Sequence, residues 1–119
     1  MQTLQWEDAW ERTIATKDKA YIEGLFEKVK NDESSSTFIR EAYNHTGALL
    51  VTVLIHNRSN EELSLKNTPI SYTNACKETF ISSFTLPHSL PAKTSMPWTF
   101  IFQNEEDEHK EVVLELVCN

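Results

Sequence analysis

The chain has 119 residues, 39% of them hydrophobic, with three Trp, three Tyr and six Phe, enough to bury one packed core and too apolar for a disordered segment. A net charge of −7 and a pI near 5.0 set its surface against phosphate backbones and anionic lipid, so nucleic acid is not expected as a partner. No apolar run reaches the ~20 residues that a membrane span requires, and residues 1–8 have neither the basic start nor the apolar centre of a signal peptide. No direct membrane insertion and a cytoplasmic location are therefore expected.

Residues 1–30 read as a helical segment. Thr16 is placed to cap a helix whose apolar stripe is Ile22, Leu25, Phe26 and Val29. Asp18 near its start and Lys28 and Lys30 near its end suit the helix dipole. Gly24 inside the run costs about 1 kcal/mol relative to Ala, so this helix must lean on tertiary packing. Trp6 and Trp10 lie one turn apart and suggest a shorter helical piece before it. The polar run 31–36 ends the helical periodicity.

The remainder reads as strands and turns. Residues 37–43 form the first predicted strand, followed by the turn 44–47. Residues 48–56 give the strongest, with Leu49, Val51, Val53 and Ile55 on one face and Leu50, Thr52 and Leu54 on the other. Apolar residues on both faces predict a central strand, covered twice. A turn at 57–60 and a return over 62–66 follow. Pro69 limits 70–72 to an edge or a strand start. Further strands are predicted at 78–84, 98–103 and 111–118, the last two joined by a hairpin loop through the acidic residues 104–108. This predicts a mainly β protein: an antiparallel β-sandwich of six to seven strands in a single domain over 1–119, with the helical residues 1–30 packed on 36–118.

Chemistry-bearing patterns are sparse. His45 and His56 sit at opposite ends of the strongest strand, and at about 3.3 Å per residue they are roughly 35 Å apart, too far to share a metal ion. His109 with Asp107 and Glu105 reads as a solvated loop tip. Cys76 and Cys118 are isolated, as reduced thiols in a cytosolic chain are, and only Lys77 beside Cys76 is a basic neighbour. No Gly-x-Ser-x-Gly elbow occurs, and two glycines cannot build a phosphate-cradling loop. The sequons at Asn44 and Asn57 read as turns, and the carboxylate pairs Glu61–Glu62 and Glu105–Glu106 fall in turns with ordinary solvation. No catalytic residue, metal site or cofactor is expected, and the chain does not read as an enzyme.

The most informative segment is 86–102, a proline-punctuated connector running into an aromatic strand. After Pro97, the side chains of Trp98, Phe100 and Phe102 share one face and Thr99, Ile101 and Gln103 the other. Aromatic residues at this spacing point into a sandwich, so Trp98→Ala is expected to cost about 3–5 kcal/mol. Leu90-Pro91, Ser95, Pro97-Trp98, Phe100 and Phe102 resemble the signature of the SLAP domain, found in duplicate in the Bacillus-type accessory Sec system S-layer assembly protein. The apolar strand 50–55 followed by His56-Asn57, then Leu63-Ser64-Leu65 and Phe80, are similar to it as well. The chain departs from the pattern in carrying one copy and in having Met96 where a basic residue precedes the Pro-Trp pair. The resemblance brings no catalytic residues. It implies a non-enzymatic protein-interaction domain linked to accessory secretion or S-layer and cell-envelope assembly, with an unidentified protein partner. The contact surface is expected at a sheet edge or at the loop carrying His88, Pro91 and Met96, where charged substitutions at Pro91 and Met96 are expected to leave folding intact. The alternatives are a small-ligand binder, with the ligand held at the sandwich mouth near Trp6 and Trp10, and a homo-oligomeric structural protein.

Overall fold

The computed structural model describes residues 2–102 and 114–117, and it is a sandwich of two sheets with a helical layer on one of them. The chain opens with a strand where a helix is expected: β1 (Thr3–Leu4) precedes α1 (Asp8–Thr13) and α2 (Thr16–Val29). Then follow β2 (Ser36–Tyr43), β3 (Leu49–Asn57), β4 (Thr68–Thr73), β5 (Thr79–Phe84), β6 (Thr94–Phe102) and β7 (Leu114–Val117). The strands are ordered β1-β6-β3-β2 in one sheet and β5-β4-β7 in the other. Five strands run as antiparallel neighbours, while β1 joins β6 and β7 joins β4 in parallel.

The helices begin differently from expectation. The Glu7 carboxylate caps α1, accepting from the backbone N–H of Ala9 and Trp10 at 3.0 and 3.2 Å. Thr16 is the first residue of α2 and not its cap, a place taken by Ala15 without a side-chain bond. The predicted stripe does the holding: Ile22 and Phe26 are buried against Leu54, with Leu25, Val29, Trp6, Trp10, Ile14 and Ile39 around them. The helical layer thus covers the outer face of the four-stranded sheet, which is why β3 is apolar on both sides.

The main core lies between the sheets. Leu49, Val51, Val53 and Ile55 of β3 meet Ile70 and Tyr72 of β4 and Leu116 of β7. Phe84 packs edge-on against Phe100 and Phe102 at 4.9 and 5.0 Å between ring centroids, and Phe38 stacks on Tyr72 at 6.1 Å. A bulge between Phe38 and Arg40 shifts the β2 register, so that Glu41 and not Arg40 stands on the core side, where its carboxylate accepts from the Tyr72 hydroxyl at 2.6 Å.

Several local expectations give way to the observed pairing. Residues 62–66 form no strand; only Leu63 bridges Leu90. Strand β4 is the middle strand of its sheet despite Pro69, which occupies its second position before the pairing with β7 begins at Ile70. The predicted hairpin loop at 104–108 lies outside the described residues; β6 and β7, on either side of it, are in different sheets. Strand β6 starts at Thr94 and takes Pro97 into its interior. Met96 therefore belongs to a strand and faces the core at 6% exposure, where a charged substitution would damage folding.

Pro97, Trp98, Phe100 and Phe102 form the spine of β6. Phe100 and Phe102 are buried, whereas Trp98 packs on the core from a half-buried position. We accordingly expect Trp98→Ala to cost about 2 kcal/mol, below the value for a fully buried aromatic, in urea unfolding followed by circular dichroism.

Candidate interaction site

The chain's polar chemistry concentrates at the end of β3, where the apolar run passes into His56, Asn57 and Arg58. His56 is 4% exposed, with Nδ1 at 2.6 Å from the Ser95 hydroxyl and Nε2 at 2.8 Å from the Thr37 hydroxyl. Gln2 donates to the same Ser95 oxygen at 3.0 Å and to the Asn57 carbonyl at 3.2 Å, tying β1 to the seam. The Asn57 amide donates to the carbonyls of Glu61, Leu90 and Pro91, and its oxygen accepts from the backbone and hydroxyl of Ser59. Arg58 donates to the carbonyls of Val29, Lys30 and Ser34 and to the Asp32 carboxylate at 2.8 Å, so it closes the C-terminal end of α2.

This seam joins elements and offers no reactive group to a substrate. Ser95 has no exposed surface, and both ring nitrogens of His56 are occupied by hydroxyls. Burial and then the Arg58 charge push the His56 imidazole down to about 4. The Ser34 hydroxyl and the Arg58 guanidinium hold the Asp32 carboxyl below its usual value. Because His56 is neutral when folded and free to protonate when unfolded, its contribution to stability is complete above pH 6.5 and is lost as pH falls toward 4. The expected loss is about 3 kcal/mol across that window, read as the difference in pH slope between the wild type and His56→Gln in chemical denaturation.

A second feature lies on the neighbouring edge of the same sheet. Strand β1 is two residues long and leaves β6 after Gln5 donates to the Ser95 carbonyl at 2.8 Å. The carbonyls of Lys93 and Ser95 both face β1. By strand alternation Pro97, Thr99 and Ile101 turn their backbone groups the same way, past the point where β1 ends. This explains Pro97 inside a strand: its missing N–H lies on the unpaired side, and the β3 ladder loses nothing. Among the described residues nothing bonds the N–H groups of Thr99 and Ile101, and the Ile101 side chain is 44% exposed.

Where β1 departs, a hollow of about 160 Å³ opens, lined by Trp6, Glu7, Asp8, Pro87, His88 and Met96 among others. The structure thus brings His88 and Met96 together, His88 at the rim and Met96 at the floor, while Pro91 stands apart, exposed, with its carbonyl bound by Asn57. Trp6 and Trp10 lie in the helical layer and line separate hollows, Trp10 beside Ile14 and Arg40, so they frame no common mouth for a ligand. His45 is exposed in a turn built on Asn44, and Cys76 is exposed in the turn before β5. Among the described residues no three His, Cys, Asp or Glu side chains are grouped to hold a metal ion, and no helix is long and apolar enough to cross a membrane. His109 and Cys118 lie outside the described residues.

The sandwich with a Pro-Trp-x-Phe-x-Phe strand at its centre agrees with a comparison against known families, in which the model of the SLAP domain matches residues 4–116. The chain belongs to the SLAP domain family. No curated protein and no solved structure matches it. The sequence pointed to a sheet edge without naming the strand; that the edge left unpaired among the described residues of this SLAP domain is that of β6 had one signal, Pro97 before an alternating run. The seam at 56–58 also had one: three polar residues continuing a strand that is otherwise apolar on both faces.

Proposed function

We propose that this SLAP domain is a non-enzymatic protein-interaction module that acts in the cytoplasm and serves accessory secretion or S-layer and cell-envelope assembly. The context is supported by the family, whose name ties the SLAP domain to an accessory Sec system. The observation that carries the mode of action is the unpaired run of β6 from Pro97 to Phe102. Free backbone donors and acceptors on a rigid central strand accept an extended segment by strand addition, which needs no catalytic group.

Ile101→Pro tests this directly, since it removes a donor that faces away from β3 and leaves the sandwich ladder intact. Wild-type and variant baits are compared in pull-downs from cytosolic and membrane fractions of the native host. Recovery of an accessory Sec component or an S-layer precursor by the wild type, with at least a tenfold loss for Ile101→Pro, is the expected result. Equal recovery by both baits would remove the strand edge from the mechanism. Recovery of neither class of protein would remove the secretion context.

A further inference from the structure

The open edge of β6 and the hollow at its head are contiguous, and together they specify more than a generic strand. Gln5 is bonded to Ser95 and also lines the hollow, Met96 forms its floor, and Pro97 begins the unpaired run. We propose that the strand received along Pro97–Phe102 is an extended peptide segment whose inward-facing residue nearest β1 is lysine or arginine, seated in this hollow. The proposal rests on the strand-addition reading above and adds the chemistry of its occupant.

The walls match a long cationic side chain in two parts. Trp6, Pro87 and Met96 provide apolar surface for its methylene stem. Glu7 and Asp8 line the same hollow and bring two negative charges to its neighbourhood. Glu7 spends one oxygen, Oε2, on the α1 cap, whereas the Asp8 side chain takes no hydrogen bond among the described residues. Lys19 stands over the Trp6 indole 5.5 Å from its centroid, is drawn toward Glu11 at 3.7 Å, and is not part of the lining. The net charge of −7 favours a basic segment over an acidic one at longer range. Backbone pairing supplies binding with little sequence preference, and the hollow supplies selection at one position. Alternation then places the neighbouring residues of the segment outward, beside the exposed Ile101.

The probes are a synthetic hexapeptide of alternating Thr and Val carrying one Lys, and the same peptide with Glu in its place, each added to the isotope-labelled chain. Amide exchange and indole resonances are followed by NMR. The Lys peptide is expected to slow exchange at the N–H groups of Thr99 and Ile101, to shift the Trp6 indole signal, and to bind about tenfold more tightly than the Glu peptide. Asp8→Asn, on the surface of α1, is expected to shrink that preference severalfold with the exchange pattern retained. Equal affinity of the two peptides, or an unmoved Trp6 signal, would overturn the lysine pocket, while slowed exchange at Thr99 and Ile101 would leave strand addition standing. Absence of slowed exchange with either peptide would overturn the proposal, and the response of Ile101→Pro in the host pull-down would then decide the broader reading separately.

Discussion

Phe102→Ala is expected to lower the unfolding free energy by about 4 kcal/mol, seen as an earlier urea midpoint with an unchanged slope. Phe102 is 2% exposed and is the point where the aromatic contacts of both sheets meet: its ring lies near Phe84, Tyr72 and Phe80 at 5.0, 6.3 and 6.5 Å. Those neighbours sit on β4 and β5, which are hydrogen-bonded to each other and cannot follow the missing ring independently. The cavity therefore persists, and its cost is added to the lost transfer energy. Phe102→Leu, which refills most of the space, should recover more than half of the loss. If Phe102→Ala moved stability no further than the half-buried Trp98→Ala, the sheets would not be locked through this ring.

Asn57→Asp should destabilise by about 4 kcal/mol, more than Asn57→Ala, although it is nearly isosteric. The amide nitrogen of Asn57 faces three carbonyl oxygens, at 2.8 Å from Glu61 and 3.0 Å from both Leu90 and Pro91, at a position 4% exposed. A carboxylate there places a second acceptor against those acceptors and buries a charge without a counter-ion. Asn57→Ala leaves the three carbonyls without this donor but brings no repulsion, and about 2–3 kcal/mol is expected. Thermal and urea unfolding at pH 7 check the order. Lowering the pH should narrow the gap between the two variants as the new carboxyl protonates. The reverse order of stability would mean that the loop 57–61 rearranges and that Asn57 does not pin it to the segment 90–91.

The helix α2 and the buried strand β3 were legible because each follows from side-chain period alone. Ile22, Leu25, Phe26 and Val29 recur at helical spacing, and a nine-residue strand apolar on both faces needs a layer on each side. The aromatic face of β6 was legible for the same reason. The strand β1 was not: two residues, Thr3 and Leu4, carry no period, and they are extended only because β6 offers them a partner. The Glu7 cap was open to detection as an acidic residue one position before an amphipathic turn.

The candidate site depended almost wholly on distant contacts. Gln2, Thr37, His56 and Ser95 come from four parts of the chain and meet only because β1, β2, β3 and β6 lie side by side. Met96 looked like a loop residue because prolines surround it, yet Pro97 is accommodated inside β6 with its missing donor on the unpaired side. The sequence by itself determined a mainly β chain, the helix that lies on it, the residues of its core and the family signature around Pro97 and Trp98. These depend on local period and side-chain polarity. Only the tertiary structure decided that β6 and β7 part into different sheets, that His56 is buried between two hydroxyls, and that among the described residues one edge of β6 stays open beside a hollow lined in part by Glu7 and Asp8. Strand order and edge exposure are set by which long-range pairings close the two sheets, and no spacing within a single segment encodes that choice.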